Sequence, residues 1–329
     1  MRILVTGGAG YVGSHTVWEL VAAGHEPAVF DDLSKGHRAA VPEGVPLFEG
    51  SLADRAALDE AFSSFQPEAV MHFAGSTQVG ESVTNPGLYF RNNICGGLNL
   101  LDAMVRAGVR NIVFSSTAAV YGEPTAVPIP EDHPKAPTNP YGESKLFFEA
   151  ILRRYETAHG IRSIALRYFN AAGAHPSGRI GEDHTPETHL IPIVLQAVLG
   201  QRDKVTVFGT DYPTEDGTCI RDYVHVCDLA AAHILAVEAL ADGAPSDAFN
   251  LGNGKGFSVR QVIDVAEQVV GKPIPYEEGP RRAGDPAVLV ASSEKARTTL
   301  GWRPAYPDLH TIIETAWRWH KEHPNGYGA

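Results

Sequence analysis

Short runs of continuous apolar residues alternate with amphipathic stretches through the first half of the chain. "RILVT" (2–6) is followed by a glycine turn, then by an amphipathic stretch from Val12 to Ala23 that Gly24 closes. "PAVF" (27–30), "VPLF" (45–48), "AVMHFA" (69–74), "NIVFSS" (111–116) and "SIALRYF" (163–169) read as further buried strands, most of them separated by helical patterns. Strands that are apolar throughout, rather than alternating, are buried on both faces. Their repeating β–α order predicts an α/β fold with a doubly wound, parallel, Rossmann-type sheet.

After about residue 170 the regularity breaks. Loops rich in Pro, Gly, Asp and His occupy 174–187, 209–220 and 273–287, with helices predicted at 189–200, 227–241, 258–270 and 308–322. This pattern predicts a first domain over 1–169 and a smaller mixed α/β domain over 170–329. Segments near 223–252 return to the first sheet in this reading, with "DAFNLG" (247–252) as the strand.

Composition narrows the function. The 329 residues carry 27 Lys+Arg against 39 Asp+Glu, a net charge of -12, which argues against general nucleic-acid binding. A local arginine or a helix N-terminus can still hold an anionic small molecule. No run of about 18 apolar residues exists, so no membrane span is expected. Cys95, Cys219 and Cys227 show no paired or metal-ligand spacing, and three reduced thiols suit a cytoplasmic protein. The 14 histidines form no HExxH, and no metal is expected.

The first chemical signal is "VTGGAGYVGSH", in which Gly7, Gly10 and Gly13 follow the first strand and open the first helix. The spacing is GxxGxxG rather than GxGxxG, but the physics is shared. Glycines allow a tight turn and close backbone approach, and the helix N-terminus faces a pyrophosphate. Asp31 lies 24 residues after Gly7, near the roughly 20-residue interval at which an acid binds the adenosine ribose. A carboxylate there repels a 2'-phosphate and favours NAD over NADP, although Lys35 and Arg38 nearby are able to accommodate a phosphate. Asp32 reads as a loop cap.

The second signal is "NPYGESKLFF" (139–148), which places Tyr141 and Lys145 on one face of a predicted helix start. Together with the GxxGxxG, "HFAG" (72–75) and "SSTAAVYGE" (115–123), taken in that order, it resembles the extended short-chain dehydrogenase/reductase family. Within that family, "YFNAAGAHPSGRIGE" (168–182), "THLIP" (188–192), "VFGTDYPTEDGTCIRDYVHVCDLA" (207–230), "RRAGDP" (281–286) and "WRWHKEHPNGY" (317–327) resemble the UDP-galactose 4-epimerase branch over essentially the whole chain.

The resemblance implies a UDP-sugar substrate, bound NAD and no net redox change. It names Tyr141, Lys145 and Thr117 as catalytic. NAD would lie against Gly7, Gly10, Tyr11, Val12, Gly13, Asp31, Ser51, Leu52, Phe73, Ala74, Asn92, Tyr141, Lys145 and Tyr168, with Asn93 the neighbouring alternative to Asn92. The UDP-sugar would meet Thr117, Tyr141, Asn170, His189, Leu190, Phe208, Arg221, Arg282 and Asp285, and Arg281 would stay at the surface. For Phe208 a core position and a uracil contact are equally open.

The residues support this chemistry independently. Oxidation of a sugar alcohol needs a base for the hydroxyl proton beside a hydride acceptor. Bringing a tyrosine from its reference pKa of about 10 to ~6–7 takes about 4–5 kcal/mol, and Lys145 with a cationic nicotinamide would supply it. The Thr117 hydroxyl would bridge phenol and sugar oxygen.

Several positions depart from the branch. Ser51 stands for an adenine-contacting aspartate, Thr77 for a lysine beside the cofactor and His189 for an asparagine. Leu289 stands for a bulky tyrosine, which leaves room for an N-acetylated sugar such as UDP-GlcNAc. A 4,6-dehydratase needs an Asp-Glu pair directly after the threonine, where Ala118 and Ala119 stand. Epimerases of UDP-glucuronate or UDP-pentoses, and a non-catalytic NAD-binding regulator, remain as alternatives. The helical stretches 88–107 and 143–159 carry apolar residues beyond one stripe, including Ile94, Leu98, Leu101, Phe147, Ile151 and Leu152. The resemblance implies a homodimer through them.

Overall fold

In the computed structural model, which describes residues 1–282 and 285–328, one sheet organises the chain. Its strands are β1 (Arg2–Thr6), β2 (Glu26–Asp31), β3 (Leu47–Glu49), β4 (Ala69–His72), β5 (Asn111–Thr117) and β6 (Arg162–Tyr168), with a seventh strand, Asp247–Leu251, beside β6. The spatial order is Asp247–Leu251, β6, β5, β4, β1, β2, β3, and every pairing is parallel. The strand order reverses between β1 and β4, which opens a ligand crevice beyond their carboxyl ends.

Both faces are covered, as continuous apolar strands require. Val17 and Leu20 of the Tyr11–Ala22 helix and Leu229, Ala236 and Leu240 of the Val226–Ala241 helix pack on Ile3, Val5 and Met71. On the other face Leu58, Leu101, Met104, Phe148 and Leu152 pack on Leu4, Val70 and Phe114. A separate core joins the Leu190–Val198, Val259–Val270 and Leu309–Glu322 helices through Val194, Leu195, Ile263, Ile312 and Ile313. Around it lie three small sheets. Tyr223–His225 pairs with Asn170–Ala172, Ile220–Arg221 sits between Phe257–Ser258 and Val288–Leu289, and Tyr276–Gly279 pairs with Val205–Phe208.

The predicted elements need small corrections with local causes. The strand expected at 45–48 lies at Leu47–Glu49, because Pro46 has no N–H for a ladder and offers only its carbonyl, to Val29 N at 2.8 Å. The strand expected to reach Ala74 ends at His72. Phe73 and Ala74 both donate to Thr6 O, at 2.9 and 3.0 Å, and the chain turns away there. The helix expected over 88–107 starts at Pro86 and passes through a π-helical stretch, Phe90–Gly96, before Gly97–Ala107. Such π stretches recur at functional sites. Ala283 and Gly284 of "RRAGDP" lie outside the described residues.

Candidate active site

The glycine turn after β1 is built for close approach. Gly7 has φ +73°, and a Cβ there would lie 2.5 Å from Ala74 N. A Cβ on Gly13 would lie 2.1 Å from Gly7 O, so helix and turn touch only because that residue has no side chain. Gly10 is the N-cap and offers no side-chain cap, which leaves the first-turn N–H groups for an external acceptor. A Cβ on Gly10 would meet only Gly7 O at 3.4 Å, the open side of the turn. Tyr11 is anchored by donating to Gly173 O at 2.6 Å, and Val12 packs beside it.

Asp31 ends β2 with its carboxylate accepting from Ala9 N at 3.0 Å and Leu33 N at 2.9 Å. Burial raises its pKa, and these two backbone bonds oppose the rise. Lys35 donates to Thr185 O at 2.8 Å and Arg38 pairs with Glu49 at 2.6 Å. Both cations that could favour a 2'-phosphate are therefore engaged elsewhere. The uncapped turn, its glycine cradle and the oriented carboxylate fit a dinucleotide with free ribose hydroxyls.

The other expected cofactor residues surround this crevice unequally. Phe73 and Ala74 follow β4 and are half-buried, and Phe73 stacks 4.5 Å from the His233 ring. Leu52 is buried against Gly96, whereas Ser51 Oγ accepts from Ala53 N at 3.2 Å as a local turn. Thr77 is exposed. The two adjacent asparagines separate clearly. Asn93 is buried, bonding both polar atoms of Ser76 main chain and donating to Ser144 Oγ at 2.9 Å. Its side chain is spent on structure. Asn92 donates once, to Ser76 Oγ at 3.0 Å, and keeps its carbonyl oxygen.

The Pro140–His159 helix starts where Asn139 accepts from Gly142 N at 2.9 Å, with Pro140 at its first position. That start brings the Tyr141 phenol beside Thr117 at the end of β5, where the Thr117 hydroxyl also accepts from Ala119 N at 3.1 Å. Burial raises the Tyr141 pKa, and the neighbouring Thr117 hydroxyl opposes the rise. One turn on, Lys145 is 3% exposed and donates to Ser115 O at 2.9 Å. Burial lowers its pKa to about 8. The lowering of Tyr141 expected from Lys145 is thus not supplied by the protein's own contacts. Tyr168 shares a hydrogen bond with Ser115 Oγ at 2.7 Å, closing the crevice on the β6 side.

Across the crevice, Arg221 forms an ion pair with Asp285, and both side chains are partly buried. The Arg282 guanidinium lies 4.2 Å above the Phe208 ring. Phe208 is half-buried, so its ring is shared between packing and the open side. Asn170 Nδ2 donates to Asp222 O at 3.1 Å, which leaves its carbonyl oxygen. Arg281 is held at the surface by Asp211 at 2.7 Å and stacks 4.3 Å from the Tyr212 ring. Leu190 opens the Leu190–Val198 helix, and His189 is its N-cap. The His189 ring is hydrogen-bonded through Nδ1 to Glu182.

Two constellations escaped the sequence reading. Glu182, His184, Glu187 and His189 each bring one ligand-type atom within 4.8 Å of the others. "EDHTPETH" (182–189) has four such residues in eight, which was the available signal. Burial opposes the charge on Glu182, but His189 and His184 hold its carboxyl well below the usual range. The second is Arg167 with Glu149, a buried ion pair that also receives Ser116 Oγ at 2.7 Å. Nothing local in sequence marks it.

The chain is similar in sequence and fold to known proteins. The model of the NAD dependent epimerase/dehydratase family matches residues 3–252. A UDP-glucose 4-epimerase of Halalkalibacterium halodurans is 58% identical over 327 residues, covering 99% of this chain and 98% of that protein. A solved UDP-glucose 4-epimerase structure is 52% identical, with a TM-score of 0.98 and full coverage of both chains. The Bifidobacterium longum UDP-glucose 4-epimerase, solved in complex with NAD+ and UDP, is 38% identical with a TM-score of 0.93, covering 99% of this chain and 100% of that one.

Proposed function

The chain belongs to the NAD-dependent epimerase/dehydratase family, and from that premise we propose that it interconverts UDP-galactose and UDP-glucose by inverting the sugar at C4'. The observation that carries this reading is the placement of Tyr141 beside Thr117 at the carboxyl end of β5, one helical turn before the buried Lys145. Bound NAD supplies the hydride acceptor and donor for C4'.

Tyr141 takes the 4'-hydroxyl proton and later returns it. The Thr117 hydroxyl, beside the phenol, would bridge it to the sugar oxygen. As a phenol buried in the protein alone, Tyr141 is a poor base. A positive ring placed against it reverses that, since an opposite charge favours the phenolate. Lys145, held by Ser115 O, keeps an ammonium at the floor of the same site.

Inversion needs the sugar to present both faces while the nucleotide stays put. Arg221 and Arg282 suit the diphosphate, since a guanidinium fork matches phosphate oxygens. Asp285 orients the Arg221 fork, and Phe208 under Arg282 offers an apolar platform for a base. Asn170 and Leu190 complete the wall, with His189 contributing as the helix cap rather than through its ring. Asp31 takes the adenosine ribose, beside Ser51 and Leu52. Asn92, Phe73, Ala74 and Tyr168 flank the nicotinamide end.

Leu289 supports a wider sugar range. It lies opposite Arg221 in the small sheet and packs with Val120, Tyr121 and Ile129, a smaller side chain at the sugar end. UDP-N-acetylglucosamine is therefore a second substrate, and no conversion of it at high enzyme concentration would remove that extension. The protein acts as a homodimer. Phe147, 50% exposed beside Phe90, supports helix pairing, and a stable monomer in light scattering would contradict it. Free thiols at Cys95, Cys219 and Cys227 support a cytoplasmic setting. Conversion of UDP-galactose by purified protein without added NAD tests the main reading; no conversion by protein shown to carry NAD would overturn it.

A further inference from the structure

The loop between the Asn170–Ala172 strand and the Leu190–Val198 helix gathers two glutamates and two histidines whose side chains the epimerase reaction does not use. Glu182 and Glu187 side chains are only 3% and 4% exposed, against 26% for His184 and 52% for His189. Two carboxylates at that depth require positive charge beside them, which two imidazoliums or one dication would supply. The His184 Nδ1 atom lies 3.2 Å from a Glu182 oxygen and 3.7 Å from Glu187 Oε2. His189 Nδ1 reaches the same Glu182 oxygen.

We propose that Glu182, His184, Glu187 and His189 form a binding site for one divalent transition-metal ion, with zinc the best match. A tetrahedral shell with metal–ligand distances of about 2.0–2.2 Å has ligand–ligand edges of about 3.3–3.6 Å. The two His184 edges are already near that size, and the half-exposed His189 ring needs only to swing slightly from Glu182. Two carboxylates and two neutral imidazoles balance a dication, and this mixed oxygen and nitrogen set suits zinc better than magnesium or calcium.

The surroundings orient the donors as an outer shell does. Glu187 Oε1 accepts from Thr188 N at 2.6 Å and His189 N at 2.8 Å, which leaves Oε2 for the centre. The His184 ring stands edge-on to Tyr11 at 6.0 Å and to His189 at 5.4 Å. His320, whose buried Nε2 has no partner among the described residues, lies within the field of both glutamates. Four protein ligands leave no open position, so the ion is structural. It clamps the loop between Tyr11, on the cofactor turn, and the cap of the Leu190–Val198 helix.

The test begins with purified full-length protein and its metal content by mass spectrometry. The protein is then stripped with a chelator and titrated with Zn2+ or Co2+. The expected result is uptake of one ion per chain, a rise in Tm, and visible d–d absorption with Co2+. His184→Ala and Glu182→Gln should lose all three. Cys227→Ser should keep them, which separates this site from the second group of ligand-type residues, Glu19, His175 and Cys227. Absence of stoichiometric uptake by the unmodified protein would overturn the proposal. So would undiminished uptake by His184→Ala, or its loss in Cys227→Ser.

Discussion

Arg167 and Glu149 meet as a bidentate pair, Nη2 to Oε2 at 2.5 Å and Nε to Oε1 at 2.9 Å, with side chains 4% and 3% exposed. Glu149 lies one turn beyond Lys145 and two beyond Tyr141, and it also accepts from Ser116, the residue before Thr117. The pair ties the Pro140–His159 helix to β5 and β6 at the level of the catalytic groups. Removing one partner of a buried pair leaves an uncompensated charge. Glu149→Gln should therefore cost roughly 3–5 kcal/mol in urea unfolding. A loss below about 1 kcal/mol would mean that the pair behaves like one at the surface.

Acid should destabilise the protein before most of its carboxylates protonate. Burial lowers His15 and His72 to about 3 and His225 and His233 to about 4. His15 and His233 each have a buried Nε2 without a partner among the described residues, so a second proton there would be unpaired. The unfolded chain binds protons on all four below about pH 6.5, and the folded chain does not. The contribution of these four is therefore full above pH 6.5 and is lost as pH falls towards 4. Asp222, raised by burial to about 6, opposes one of the four below that pH. The urea midpoint should drop steeply between pH 6.5 and 5, with an uptake of roughly three protons on unfolding. A flat profile over that window would contradict the buried neutral state.

The glycine turn allows fold and cofactor to be separated. Gly13→Ala would push a methyl group into Gly7 O, costing roughly 1–3 kcal/mol of stability. Gly10→Ala meets nothing closer than 3.4 Å within the protein, yet its methyl group would stand where the pyrophosphate approaches. It should leave Tm within a few degrees while the purified protein carries much less NAD. Equal NAD content in Gly10→Ala and the unmodified protein would place the pyrophosphate elsewhere.

Arg282 is expected to contribute binding rather than chemistry. Its guanidinium is already stacked on Phe208, so it meets the diphosphate equally in the ground and transition states. Hydrogen bonds to charged groups contribute about 1.5–3 kcal/mol, so Arg282→Ala should raise KM about tenfold to a hundredfold. The value of kcat should stay nearly unchanged. A fall in kcat at constant KM would move Arg282 into the chemical step.

The sheet and the cofactor turn were readable because their signals are local. A run such as Ala69–His72, buried at every position, can only be a strand covered on both faces. Gly7, Gly10 and Gly13 sit in the turn that needs them. Asn139 and Pro140 mark the start of the helix that carries Tyr141 and Lys145. The substrate side was less legible, since Arg221 meets Asp285 at a sequence separation of 64, with the Val226–Ala241 and Val259–Val270 helices between them. Asn92 and Asn93 could not be told apart until the π-helical stretch sent one inward. His189 reads as a nucleotide contact in sequence, yet its ring belongs to the loop that bends Glu182 back towards it. Such contacts follow from loop paths, which carry no period to read.

The central claim is that Tyr141 moves the 4'-hydroxyl proton, and one comparison tests it directly. Tyr141→Phe removes only the phenolic oxygen from a ring whose packing stays in place. UDP-galactose conversion, NAD content and Tm should be measured together for this variant and the unmodified protein. The account predicts retained NAD, a Tm within a few degrees, and turnover reduced by at least about a thousandfold, the size expected when a general acid–base group is lost. Turnover within tenfold of the unmodified protein, with NAD retained, would contradict it.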